Sequence, residues 1–321
     1  MEKSILTFKP YFKKVIWGGN KIFRLKGLPA SDSNIGESWE ISALPGFESI
    51  VAEGPYAGKT ISELIEKFRE QLVGEAVWNK YGNRFPLLFK IIDATDNLSL
   101  QVHPDDELAA KRHGCNGKTE MWYIIETDKD SKIYAGFKNK ISPEEYEVCV
   151  SENTLINNLA VYDSKPGDVY FLPAGRVHAI GAGNLLIEIQ EASDITYRIF
   201  DYNRTDENGN KRELHTELAK EAINFEDNSE SRISNFSENW NNPHLISCLH
   251  FTTRKIDLEG TLELYLDNSS FTVLMCVSGE AKIFNDNQST ILKEGNTVLI
   301  PASINHVTLE GNGTILQTRS I

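Results

Sequence analysis

Two histidines, a glutamate and a glutamine stand where strand ends could bring them together. In Gln101-Val102-His103 the period-two alternation of a strand puts the amide and the imidazole on one face, and Glu120 opens the strand-like run Glu120-Met121-Trp122-Tyr123-Ile124-Ile125. His178 closes the stretch Gly167-Asp168-Val169-Tyr170-Phe171-Leu172-Pro173-Ala174-Gly175-Arg176-Val177-His178, just past a strand ended by Pro-Ala. Two imidazoles, one carboxylate and one amide oxygen suit a catalytic zinc that keeps an open position, and the same donors suit the iron of an oxygenase. A lone strand histidine is ordinarily a satisfied or solvent-facing residue, but four donors in this order argue for a site. Cysteine ligation is not expected: Cys115, Cys149, Cys248 and Cys276 are scattered without a CxxC pair and read as reduced thiols.

The elements that must position these groups are short strands. Runs rich in Val, Ile, Phe and Tyr at 86–93, 98–103, 120–126, 168–172, 185–190 and 271–277 are separated by Gly, Asn and Asp. Helical periodicity is clearest at Ile61, Leu64, Ile65, Phe68 and Leu72, and recurs after Ser142-Pro143-Glu144-Glu145 and from His215 to Phe225. The His178 stretch has a second copy, Gly295-Asn296-Thr297-Val298-Leu299-Ile300-Pro301-Ala302-Ser303-Ile304-Asn305-His306. Both obey G-x5-P-A-[GS]-x2-H, a spacing that resembles the second motif of the cupin family. The resemblance implies a mainly β chain of two cupin-like jelly-roll halves with helical insertions. A polar tract without apolar periodicity marks the boundary, giving a catalytic domain over 1–225, a linker over 226–243 and a C-terminal degenerate cupin-like domain over 244–321.

Four motifs together, Leu98-Ser99-Leu100-Gln101-Val102-His103-Pro104-Asp105-Asp106, Gly117-Lys118-Thr119-Glu120-Met121-Trp122-Tyr123, Pro173-Ala174-Gly175-Arg176-Val177-His178 and Tyr197-Arg198-Ile199-Phe200-Asp201-Tyr202, resemble the type I mannose-6-phosphate isomerases, in their bacterial short form. Trp17-Gly18-Gly19, Gly36-Glu37-Ser38-Trp39-Glu40 and Lys211-Arg212-Glu213-Leu214-His215 extend the likeness over most of residues 10–220. The resemblance implies one zinc per chain, bound by His103, Glu120 and His178 with Gln101 as an additional ligand. It also implies catalytic roles for Arg198 and for Lys118, and a hexose 6-phosphate substrate. Here Lys118 is followed by Thr119 where longer relatives have Pro, and Gln101-Val102-His103 replaces the common cupin H-x-H.

Moving a carbonyl between C1 and C2 of such a sugar requires removal of a carbon-bound proton and stabilisation of an enediolate, so a Lewis acid and a fixed cation should face the oxyanion. Arg198 stays protonated at neutral pH and therefore serves as that cation or as a substrate contact, not as the base. Glu188 in Leu186-Ile187-Glu188-Ile189-Gln190 is the first candidate base, with Asp194 open beside it. Substrate phosphate calls for a positive pocket, for which Lys90, Lys118 and Arg198 are candidates; Lys90 interrupts an apolar run and would otherwise snorkel to water. Asp105, Asp106 and Glu107 follow Pro104 and are read as the start of a helix. The readings that compete with the isomerase are an iron-dependent cupin oxygenase and a non-catalytic sugar-binding cupin.

Composition narrows the partners. With 46 Asp plus Glu against 33 Lys plus Arg, the net charge of -13 opposes nucleic acid, and no run reaches the roughly 18 apolar residues of a membrane span. A cytoplasmic location is expected, and the oligomeric state is not legible. In the second half His306 takes the place of His178, but no Q-x-H or Lys-Thr-Glu precedes it, and His244 and His250 lack a second ligand at cupin spacing. That half is expected to be a degenerate copy without metal.

Overall fold

Residues 3–31, 34–205, 209–227, 229–233, 244–285 and 288–321 are described by a computed structural model. The strand-forming runs assemble three sheets paired antiparallel throughout, so the chain is mainly β, two cupin-like jelly-roll halves with helices inserted around them. In the first half, a seven-stranded sheet orders its strands as 232–233, 169–172, 120–127, 184–191, 87–94, 35–41 and 11–19. A five-stranded sheet faces it, ordered 197–200, 100–102, 178–180, 132–137 and 159–163. The second half is one eight-stranded sheet built from the strands after residue 243 together with Leu6–Lys9 and Ile50–Val51.

Burial explains why some strands read as continuous apolar runs and others alternate. Every residue of Leu87–Ala94 and of Asn184–Glu191 is buried, because the seven-stranded sheet is covered on both faces. One face, with Ile92, Trp122, Ile124 and Leu186, packs inside the first barrel on Ile133, Ala135 and Ile180. The other, with Phe89, Ile91, Met121, Ile187 and Ile189, joins Phe251, Phe271, Val273, Met275 and Leu316 of the second half and Ile61, Leu64 and Ile65 of the helical insertion. The two halves thus share one core across the sheet that carries Glu120 and Glu188.

The helices expected from apolar periodicity form. Ile61–Phe68 and Pro143–Ser151 each start with a capping box, Thr60 with Glu63 and Ser142 with Glu145. A third expected helix is Thr216–Ala222. Asp105 caps Asp106–His113 by accepting the Leu108 N–H, so these acids begin a helix. Of the tract read as a linker, 228 and 234–243 lie outside the described residues, while Arg232–Ile233 is a strand beside Val169–Leu172. The Leu6–Lys9 strand pairs with Thr297–Ile300, so the N-terminal segment is stitched into the second sheet.

Both copies of the repeated motif adopt one local structure. Val169–Leu172 and Thr297–Ile300 are the strands, and His178 and His306 each open the strand that follows. Gly175 sits at φ +86°, and a Cβ there would come within 3.0 Å of the Ala222 carbonyl oxygen; Ser303 in the second copy is not at positive φ.

Candidate metal and substrate site

Register brings the sequence-predicted donors together from the two sheets of the first barrel. His178 pairs with Gln101, which in turn opposes Arg198 across its other edge. On the facing sheet Gln190 opposes Glu120, while Glu188 sits between Lys90 and Trp122. Alternation then points Glu120, Glu188 and Lys90 into the barrel along with the apolar side chains of its interior.

His103, Glu120 and His178 are buried, and one ligand atom from each lies within 4.8 Å of the others, a group that could hold a metal ion. Both rings are oriented by backbone carbonyls: His103 Nδ1 lies 2.8 Å from the Ile195 oxygen and His178 Nδ1 2.8 Å from the Arg176 oxygen. A carbonyl can only accept, so each Nδ1 carries its proton and each Nε2 turns a lone pair inward. His178 Nε2 is 3.2 Å and His103 Nε2 3.8 Å from the Glu120 carboxylate. Burial first, and the Lys118 ammonium second, keep both rings neutral, with His178 lowered to about 3. Two neutral imidazoles converging on one carboxylate are the protonation state a metal requires.

Glu120 supplies a second sign of fit. Lys118, 2.7 Å away, compensates the buried Glu120 carboxylate, which takes no other N–H or O–H among the described residues. Burial raises the affinity of this carboxyl for a proton, Lys118 opposing. Gln101 turns its amide nitrogen to His178 Nε2 at 3.3 Å; rotating the amide by half a turn presents the oxygen instead.

A cleft of about 360 Å³ adjoins this group, reached through Gln101 and Lys118. Lys13, Lys90, Arg198 and Arg212 line it together with Lys118, against the carboxylates of Glu37, Glu188 and Asp194. Arg198 is half-buried, donates from one terminal nitrogen to the Glu213 carbonyl (2.9 Å) and leaves its buried Nε without a partner. Arg212 is bound by Asp201 through Nε at 2.7 Å.

Lys90 does not snorkel. Its head is 5% exposed, donates to Glu188 at 3.0 Å and lies over the Trp39 ring. Glu188 also accepts the Trp122 indole N–H at 3.0 Å. Burial disfavours its charge, but Lys118 and Lys90 outweigh that and hold the carboxyl ionised, below the usual carboxylate range. The sequence reading missed Lys13, Glu37 and Arg212 as cleft residues. Glu37 and Arg212 lie in two of the quoted motifs, which was the available signal, whereas Lys13 carried none.

Residues 5–144 match the phosphomannose isomerase type I catalytic domain, and residues 242–320 match the mannose-6-phosphate isomerase cupin domain. The chain is 37% identical to the mannose-6-phosphate isomerase ManA of Bacillus subtilis over 97% of both proteins. It is 33% identical to the mannose-6-phosphate isomerase of Streptococcus mutans over 98% of both. The crystal structure of the mannose 6-phosphate isomerase from Bacillus subtilis superimposes with a TM-score of 0.88 at 34% identity, covering 98% of this chain and 99% of that one. The apo enzyme from Salmonella typhimurium, 19% identical, shares the fold with a TM-score of 0.79 over 99% of each chain.

Proposed function

The chain belongs to the type I phosphomannose isomerase family, and from that premise we propose that it interconverts mannose 6-phosphate and fructose 6-phosphate through an enediolate, using one zinc ion held by His103, Glu120 and His178 with Gln101 beside them. The observation that carries this reading is the convergence of two Nε2 lone pairs on a buried carboxylate, itself paired with Lys118, at the edge of a cation-lined cleft. Zinc bound there would supply a Lewis acid for the sugar carbonyl.

The chain's own residues account for the remaining needs. Arg198, with a free buried Nε, offers a fixed cation to the oxyanion that develops as the C2 proton leaves. Lys118 bridges the metal group and the cleft, 3.1 Å from His103 Nε2, so its ammonium can follow charge on the substrate oxygens. Glu188 has both oxygens committed to Lys90 and Trp122, and an acid so firmly ionised matches a general base poorly. We assign it the task of fixing the two lysine heads. Proton transfer falls instead to Asp194, whose side chain is 49% exposed at the cleft. Lys13 and Arg212, each about a third exposed, line the cleft and are assigned to the phosphate, Arg212 held in place by Asp201, with Arg198 nearby.

An oxygenase would have no use for five cations around the cleft, and a sugar-binding module would not need the buried donor set. A cytoplasmic setting agrees with four cysteines of which none is paired. No helix among the described residues is long and apolar enough to cross a membrane. The test is a coupled assay for fructose 6-phosphate formed from mannose 6-phosphate, run on metal-stripped protein and after zinc is restored. Turnover that depends on zinc is expected; none with or without metal would refute the assignment.

A further inference from the structure

We propose that His250, carried by the second barrel, is a positioning residue for the metal site of the first: by holding Glu191 it fixes the backbone of Lys118, Thr119 and Glu120. The inference rests on the metal-site reading above and adds to it a function for the C-terminal half.

Glu191 ends the strand Asn184–Glu191, and its side chain is 5% exposed. One carboxylate oxygen accepts the Thr119 N–H at 2.8 Å; the other faces His250 Nδ1 at 3.0 Å. The backbone of Glu191 also donates to the Thr119 carbonyl at 3.1 Å, so the two residues are joined in both directions. Thr119 is the junction of the site. It lies between Lys118 and Glu120, and its hydroxyl accepts the Ala174 N–H (3.3 Å) from the turn that leads to His178. A displacement of Thr119 is therefore felt by one metal ligand directly and by a second through its turn.

His250 is itself held firmly. Its carbonyl accepts from the Ile321 N–H at 3.1 Å and the Ser320 hydroxyl at 3.2 Å, and Lys80 Nζ ties the neighbouring Leu249 and Ile321 carbonyls at 3.1 and 3.0 Å. Residues 320 and 321 and Lys80 of the helical insertion thus hold the backbone from which the imidazole reaches Glu191. Without it, a buried carboxylate oxygen loses its partner, and the carboxylate must turn to find water or another donor. The Thr119 hydrogen bond would turn with it. Asp106 completes a loose trio with these two residues, but its carboxylate is exposed and already accepts the Gly117 N–H at 2.8 Å.

The experiment compares full-length protein with His250→Ala and His250→Gln, the latter keeping an N–H donor for Glu191. Zinc affinity is measured by chelator competition, kcat and KM in the coupled assay, and zinc content by elemental analysis. His250→Ala should lose about tenfold in zinc affinity and about tenfold in kcat, the lower range for removing support from a metal ligand, with KM within about twofold. His250→Gln should recover most of both. If the alanine variant does not fold, His250→Leu replaces it, filling the space without a donor. Zinc affinity and kcat within twofold of the parent in a folded variant would overturn the proposal and leave a merely structural contact. So would a parent with two zincs that drops to one in His250→Ala, which would make His250 a ligand. A parent that neither binds zinc nor isomerises removes the site reading itself, a result distinct from an active parent matched by its variant.

Discussion

His178 and His306 open equivalent strands after the same Pro-Ala turn, yet they meet different surroundings. His178 is buried and faces Glu120 and Gln101 within a barrel whose interior also contains Lys90, Lys118 and Glu188. His306 lies partly exposed, pairs with Glu263 and lies tilted against the ring of Tyr265, itself 79% exposed. Behind it the second barrel is filled by Ile256, Leu258, Leu274, Val298, Ile300, Leu309 and Ile315. The backbone device is the same; what differs is which side chains the neighbouring strands turn inward. On the function proposed above, chemistry belongs to the composition of an interior face and not to the fold, and the apolar barrel would buttress the polar one.

The comparison breaks most easily at the polar barrel. His178→Ala should abolish zinc binding and lower turnover on the order of a thousandfold or more, since both a ligand and the Lewis acid are lost. Normal turnover in that variant would place the chemistry elsewhere. Arg198→Ala should keep zinc and the fold and lose roughly a hundredfold to a thousandfold in kcat, the usual loss for an oxyanion donor. An effect on KM alone would make Arg198 a binding contact only.

Glu188→Gln sharpens the assignment of roles. Turnover should fall roughly tenfold to a hundredfold as Lys90 and Lys118 lose their counter-ion, while the acid limb of the kcat–pH profile stays in place. Disappearance of that limb would instead identify Glu188 as the base, as the sequence first suggested.

The smallest effect concerns the joint between the barrels. The hydrogen bond to Glu191 raises the affinity of His250 for its proton above that of an ordinary imidazole; partial burial and Lys80 oppose, and Asp106 assists. A raised folded value gives stability that is fully present below the ordinary imidazole pKa of about 6.5 and is lost as pH rises through the folded value. The melting-temperature difference between parent and His250→Gln should therefore be largest near pH 6 and shrink toward pH 9. A constant or growing difference would show that the pair is not charged.

Much of this was legible in the sequence because it is local. Alternation exposed Gln101 and His103 on one face, apolar periodicity marked the helix at Ile61, Leu64 and Ile65, and the repeated Gly-to-His stretch announced two barrels. What escaped depends on pairing between distant segments. Lys90 reads as a lysine in need of water until Glu188 and Trp39 are seen beside it. Leu6–Lys9 carries no mark saying that its partner is Thr297–Ile300. His250 was set aside because no second donor lay at motif spacing, whereas its partner Glu191 is supplied by the distant strand Asn184–Glu191.

The central claim is that only the first barrel holds metal, and counting zinc in purified protein tests it most directly. Elemental analysis should find one equivalent per chain in the parent and in His306→Ala, and none in His178→Ala. Two equivalents in the parent, with one lost on His306→Ala, would contradict the account.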